Sequence, residues 1–323
     1  MAVFTPVSLP LLNDWLRTHY ALPAANGIAP ISEGIENTNC RVQMGTQEYV
    51  LTIFELWDDT AVNYYTALMQ HFHAAGLPVP AAVVGIAGKN YHHWQAEGVA
   101  KPAALVPFIA GAWVATPNAE HCRQIGALLA QLHIHAARFN IPYTSPRNHA
   151  WRQDTAGRIR EHLTAEQQQL LDRALKIDAD FSQAALPAAA CHCDLFRNNV
   201  LWHNDHVNAV IDFYFGGDEV LLFDLAVCIC DWCYHDGQFD PDLLSALLQG
   251  YNSQRHLCDL EKQLFVDALN SAAIRFWLSR HFDVIFPRRA EELTPHDPAH
   301  FEQILRTIHS QRNFFEQLMK AAA

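Results

Sequence analysis

The stretch from His192 to Phe213, HCDLFRNNVLWHNDHVNAVIDF, holds the residues best suited to chemistry. Asp194 is followed five positions later by Asn199, and Asp212 closes an apolar run. A carboxylate, a carboxamide and a second carboxylate held near one another can orient a hydroxyl nucleophile and grip magnesium, which is the equipment of phosphoryl transfer. The pattern H-x-D-x-x-x-x-N followed by I-D-F is far more specific than a lone glycine loop. The competing reading is an acidic loop capped by its own local hydrogen bonds. Agreement of three positions with two flanking apolar strands weighs against it.

The elements around this stretch must bring its two ends together. VLWH and VNAVIDF read as short strands joined by the turn Asn204-Asp205. Asp194 and Asn199 then lie on the loop before the first strand and Asp212 at the exit of the second, so base and metal ligands converge at one rim. Ahead of it, NAEHCRQIGALLAQLHIHAARF repeats apolar residues at three and four positions and is a core helix. His133 and His135 sit two apart on that helix and face different ways, as do His71 and His73, so neither pair reads as metal ligands. TAEQQQLLDRALKID is a further helix with Thr164 and Glu166 at its cap. Beyond the central stretch, PDLLSALLQGYN, EKQLFVDALNSAAIRFWLSRHF and HFEQILRTIHSQRNFFEQLM read as three more helices. The cysteines at 191, 193, 228, 230 and 233 mimic a zinc pattern. Cys191 and Cys193 bracket His192, however, and Cys228, Cys230 and Cys233 lie in the apolar helix FDLAVCICDWCY, where free cysteine behaves as a small hydrophobe.

The N-terminal third has a different texture. Residues 7–20 suggest an opening helix, and RVQM and YVLTIF a hairpin turning at Gly45-Thr46. The loop ahead of it, Ser32 to Asn39, can aim backbone N–H groups and the amides of Asn37 and Asn39 at phosphates. Gly34 is its one glycine, so by itself the loop reads as a polar turn. DDTAVNYYTALMQHFHAA is helical and stops at Gly76; strands are expected at VVGIAG and AALVPFIAG. Pro107 and Gly111 then interrupt the pattern and mark a hinge, giving an N-terminal lobe over 1–108 and a helical lobe over 109–323.

Composition bounds the partners. The 323 residues carry a net charge of -12, with 17% charged and 50% hydrophobic residues, which suits a globular chain with a sizeable core. No Lys/Arg cluster offers a nucleic-acid surface. No apolar run approaches the roughly 20 residues that span a bilayer, and the opening residues lack a basic, then apolar, leader. A cytoplasmic location is expected.

With these motifs in view, HCDLFRNNVLW followed by VIDFYFGGDEVLLFDLA, and IGALLAQLH over Ile125 to His133, resemble the catalytic core of the aminoglycoside phosphotransferase and choline kinase superfamily. The resemblance implies an α+β, two-lobed, protein-kinase-like fold with a small antiparallel-sheet lobe and a larger helical one. MAVFTPVS, GIENTN, VLTIFE, and RFWLSRHFD with the later Asp297-Pro298 extend it over almost the whole chain, to the homoserine kinases of that superfamily. This narrower resemblance implies ATP-dependent phosphorylation of the L-homoserine hydroxyl, a step of threonine biosynthesis. Asp194 would orient that hydroxyl and accept its proton, while Asn199 and Asp212 would bind Mg2+ bridging the ATP phosphates. His192 would brace the loop and Asp224 would hold it through backbone N–H groups. ATP would lie under Ser32 to Asn39, Gly34, Asn37 and Thr38 included, with adenine against Pro107 to Ile109.

The chain departs from the kinase pattern in two places. Thr52 stands where that pattern has its phosphate-holding lysine, and the helix from Asp58 to Ala75 has no glutamate to pair with one. The phosphate loop is also poor in glycine. Arg41 and Arg197 are the nearest replacement cations in sequence. These gaps motivate one rival, an inactive nucleotide-binding module; retention of Asp194 and Asp212 opposes it. A second rival is another small-alcohol kinase, for choline, methylthioribose or an aminoglycoside. A zwitterionic acceptor needs a cation for its carboxylate, and Arg275 or Arg280 in AAIRFWLSRHF could supply it, Arg275 being the expected one. The competing reading sends both arginines to solvent. Trp277 and Tyr214 serve equally as core or as substrate wall.

Overall fold

A computed structural model describes residues 5–31, 37–96, 98–287 and 296–321. It falls into two compact units, one ending at Ala110 and the next starting at Gly111.

The first unit is built on a five-stranded antiparallel sheet. Its strands are β1 (Gly27–Pro30), β2 (Thr38–Met44), β3 (Gln47–Ile53), β4 (His92–Ala96) and β5 (Val99–Pro107), in the order β1-β2-β3-β5-β4. Gly45, at φ 63, takes the left-handed conformation that the β2–β3 turn demands. Strand alternation puts Cys40, Val42, Met44, Leu51, Ile53, Ala103 and Leu105 on one face, against Leu12, Trp15 and Leu16 of α1 (Leu9–His19). Helix α2 (Asp59–Ala74) starts at Asp58, whose side chain accepts from the Ala61 N–H.

The second unit is mainly helical. Among the described residues it holds three two-stranded antiparallel pairs: β6 (Ala188–Cys191) with β9 (Gly217–Val220), β7 (Val200–His203) with β8 (His206–Val210), and the short β10 (Tyr234–His235) with β11 (Gln238–Phe239). Around them stand α3 (Ala119–Ala136), α4 (His149–Ile159), α5 (Ala165–Ser182), α6 (Leu221–Trp232), α7 (Pro241–Asn252), α8 (Asp259–Gln263), α9 (Phe265–Ile285), α10 (Ala299–Ser310) and α11 (Arg312–Ala321). Asn204 and Asp205, at φ 48 and 59, make the two-residue turn between β7 and β8. Helix α6 is buried almost all round, including Cys228 and Cys230, as its unbroken apolar sequence requires. Helices α3 and α7 cross closely at two glycines. A Cβ on Gly126 would sit 2.0 Å from the Leu247 carbonyl oxygen, and one on Gly250 would sit 2.0 Å from that of Arg123.

Several elements differ from the sequence expectation. VVGIAG is not a strand: Val83 donates one bond to Leu105, Ile86 donates to the His19 carbonyl, and the chain turns at Gly88. The sheet is completed instead by HHWQA, whose buried His92 and Trp94 alternate with exposed His93 and Gln95. Helix α4 has no counterpart in that expectation. EKQLFVDALNSAAIRFWLSRHF divides into α8 and α9, and the last expected helix divides at Gln311. The Thr164 cap is closed by Gln167, the residue at the third helical position, rather than by Glu166.

Candidate active site

The loop between β6 and β7 is shaped by its own polar groups. The N–H of Asp194 donates to Nδ1 of His192 (3.2 Å), and Nε2 of that ring lies 3.0 Å from the Ile211 carbonyl oxygen. A carbonyl can only accept and an amide N–H can only donate, so the ring is neutral with its proton on Nε2. Burial, which pushes the His192 pKa down, favours the same state. The N–H of Ile211 donates to the Asn199 carbonyl (2.9 Å). Ile211 is thus held on both sides, and the residue after it, Asp212, is delivered beside Asn199. Asp212 itself has φ 64, a left-handed conformation that aspartate tolerates better than most residues. Asn199 uses Nδ2 to reach the Asp194 carbonyl (2.8 Å) and carboxylate (3.3 Å), so its Oδ1 is the atom that can meet a cation.

Helix α6 carries the supports for this loop on one face. The fully buried Asp224 accepts from the N–H groups of His192 (3.0 Å) and Cys193 (2.7 Å). Those bonds hold Cys193 at φ 61, a conformation costing roughly 1–3 kcal/mol when unsupported. Two turns on, Asp231 accepts from the Arg197 N–H (2.7 Å) and Nε (3.1 Å), and Trp232 donates from Nε1 to the Leu195 carbonyl (3.0 Å). Burial opposes the charge on Asp224. The hydrogen bond and charge of His133, with His192 and the Cys193 N–H, overcome it and hold the carboxyl below its ordinary range.

His133 is a functional support that its sequence position did not reveal. Its Nε2 lies 3.1 Å from Asp224 and its Nδ1 2.7 Å from the Tyr251 hydroxyl. Arg255 donates to that hydroxyl (3.0 Å) and to Glu261 (2.9 Å). The only sequence signal is a histidine on the buried side of an apolar helix, which reads equally as packing. His133, Cys191 and Asp224 place potential ligand atoms within 4.8 Å of one another. Both nitrogens of His133 already have partners, three donors occupy Asp224, and burial pushes the Cys191 thiol up, away from the thiolate that a metal requires. This cluster is a hydrogen-bond network rather than a metal centre.

The two arginines of α9 diverge. Arg275 is 3% exposed, lies with its guanidinium over the rings of Phe276 (3.7 Å) and Phe215 (5.1 Å), and brings Nη1 to 3.6 Å from Asp194 Oδ1. Arg280 donates to the Asp297 carbonyl (3.2 Å) and lies over Phe301 (4.5 Å); burial pulls its pKa down to about 10. The solvent-facing reading of Arg275 is therefore wrong. Arg197 is also not a spare cation, because Asp231 and the Ala115 carbonyl engage it.

The first unit carries the remaining candidates. Ser32 and Gly34 lie outside the described residues. Asn37 is 6% exposed and accepts from the Glu55 N–H (3.4 Å). Thr38 opens β2, and the Asn39 Oδ1 accepts from the Thr52 hydroxyl (2.8 Å), so the position lacking a lysine is filled by a neutral pair. Pro107 ends β5 opposite Tyr49, and Ile109 follows it half-buried. Arg41 pairs with Glu48 at 2.5 Å and stacks 4.1 Å from the Phe108 ring.

An antiparallel-sheet unit followed by a helical unit with this loop defines a two-lobed, protein-kinase-like phosphotransferase. An amicoumacin kinase solved with AMP-PNP and Ca2+ has the same fold, with a TM-score of 0.73 at 15% identity over 94% of each chain. The profile of the phosphotransferase enzyme family matches residues 27–258. The homoserine kinase of Janthinobacterium sp. (strain Marseille) is 40% identical over 312 residues, 95% of each chain. That of Methylobacillus glycogenes is 38% identical over 99% of this chain and 98% of its own. The chain belongs to the phosphotransferase enzyme family, among its homoserine kinases.

Proposed function

We infer that the protein is an ATP-dependent homoserine kinase, converting L-homoserine to O-phospho-L-homoserine in threonine biosynthesis. The family relationship supports the activity, and the observation that carries the acceptor is Arg275, a buried cation beside Asp194.

The acceptor hydroxyl hydrogen-bonds to the Asp194 carboxylate, which takes its proton as the oxygen attacks the γ-phosphorus. A new O–P bond forms, the bond to the β–γ bridging oxygen breaks, and ADP leaves. Asn199 Oδ1 and the Asp212 carboxylate are hard oxygen donors of the kind that suits Mg2+, and they are the residues that would hold it. Bound there, the ion supplies neutralisation of phosphate charge. In the first unit, Asn37 and Asn39, with Ser32 and Gly34 of the same loop, would meet the ATP phosphates; Thr38, fully buried, would hold the loop rather than touch them, and Pro107 and Ile109 would meet the adenine. His192, Arg197 and Asp224 keep the loop in shape rather than touching substrate.

Arg275 forks the substrate carboxylate while remaining next to the base. Its planar guanidinium, set against the rings of Phe276 and Phe215, is suited to a bidentate contact. Choline would instead bring a quaternary ammonium against a buried cation, which is unfavourable in a low-dielectric site. No helix among the described residues is long and apolar enough to cross a membrane. An ADP-release assay over L-homoserine, choline, L-serine, L-threonine and methylthioribose tests the reading. L-Homoserine is expected to give the highest kcat/KM, and a strong preference for choline or methylthioribose would overturn the acceptor.

A further inference from the structure

The sheet of the first unit has a lysine–glutamate pair, but not at Thr52. Lys101 on β5 lies 2.5 Å from Glu55, just beyond β3. Lys101 also donates to the Thr5 hydroxyl (2.8 Å), the Thr5 N–H donates to the Thr38 hydroxyl (3.1 Å), and that hydroxyl donates to Glu55 (2.6 Å). Lys101, Glu55, Thr38 and Thr5 thus form a closed ring with a donor and an acceptor in every bond. Thr5 is 1% exposed, Thr38 0%, and the Glu55 side chain 7%.

Strand alternation says which face the ring occupies. Thr38, Glu55 and Lys101 are each two residues from Cys40, Ile53 and Ala103, which pack on the α1 face. Thr52 and Asn39 are bonded on the other face, where the kinase pattern puts its lysine. The charge pair therefore cannot replace that lysine by contact. What it does hold is the end of the phosphate loop. Thr38 is in the ring, and its neighbour Asn37 accepts from the Glu55 N–H.

We propose that the Lys101–Glu55–Thr38–Thr5 ring is a positioning device that fixes Asn37 and Thr38 from behind the sheet and thereby sets the affinity for ATP. The proposal rests on the assignment of Ser32 to Asn39 to the nucleotide phosphates. Lys101 and Glu55 are positioning residues, acting through Thr38 and Asn37.

The test is steady-state kinetics of Lys101→Met, Lys101→Arg and the double variant Lys101→Met/Glu55→Gln, with Asn39→Ala as control. Lys101→Met is expected to raise the ATP KM about tenfold, a factor comparable to one charge-assisted hydrogen bond. Its homoserine KM and kcat should stay within about twofold of the parent, and Lys101→Arg should restore most of the ATP affinity. The double variant leaves no bare buried charge, so it gives the reading should Lys101→Met fail to fold. An unchanged ATP KM in folded ring variants, with a raised one in Asn39→Ala, overturns the ring alone. An unchanged ATP KM in Asn39→Ala as well overturns the phosphate-loop assignment and the ring with it. A fall in kcat with both KM values unchanged also refutes a nucleotide-positioning role.

Discussion

Arg275 Nη1 lies 3.6 Å from Asp194 Oδ1, with the two side chains 4% and 16% exposed. A guanidinium on α9 and the proposed base on the β6–β7 loop therefore share one dry environment.

Asp194→Asn keeps the shape of the side chain and removes the proton acceptor. The kcat is expected to fall by about 10²–10⁴ with little change in either KM, as general-base losses do. Coupled ADP release measures it, and undiminished turnover would show that the base is elsewhere.

Arg275→Ala should raise the homoserine KM at least about tenfold more than the ATP KM, because a carboxylate contact is lost on one substrate only. Arg275→Lys should recover little, since a point charge cannot fork a carboxylate or stack as a plane on Phe276 and Phe215. Equal effects on both substrates would remove Arg275 from the acceptor site.

Asp224→Ala leaves two loop N–H groups and His133 without their acceptor in a fully buried place. A loss of about 3–5 kcal/mol is expected on breaking such a buried charged network. Urea unfolding, read by tryptophan fluorescence, provides the number; a loss under about 1 kcal/mol would mean that water replaces the carboxylate.

Burial, then the charges of His19, Lys89 and His93, push His92 from its ordinary 6.5 down to about 4. Native His92 stays neutral where the unfolded chain is already protonated. Its contribution to stability is present above pH 6.5 and is lost as pH falls from 6.5 towards 4. Melting temperature against pH should therefore decline less steeply over that window in His92→Phe. Parallel curves for parent and variant would assign the acid sensitivity to other groups.

Gly126→Ala puts a methyl 2.0 Å from the Leu247 carbonyl oxygen, an atom of rigid helical backbone. Helices α3 and α7 must then separate, at an expected cost of about 1–3 kcal/mol or more. Thermal unfolding checks this, with Gly157→Ala as a control at a glycine whose added Cβ meets no atom within 4 Å.

The spacing of Asp194, Asn199 and Asp212 could be read in sequence because all three lie within one short stretch of chain. The Asn204-Asp205 turn pairs His203 with His206 and Trp202 with Val207, and a one-residue bulge between Trp202 and Leu201 then shifts the register so that Ile211 meets Asn199. The same locality explains the α1, α2 and β2–β3 expectations. It also explains the failure at β4, where His92 occupies a buried position that hydropathy assigns to an apolar side chain.

Amino-acid sequence by itself determined which groups could do the chemistry, the family, and the succession of a sheet unit and a helical unit. Tertiary structure decided which long-range partners those groups have. His133 lies 91 residues from Asp224, and nothing in its helical spacing separates a loop support from a packed histidine. Arg275 and Arg280 are equivalent in pattern until the packing of α9 turns one towards Asp194 and the other towards Asp297. Short-range periodicity records which side of a helix is buried. Which polar group waits on that side is set by the packing of elements distant in the chain.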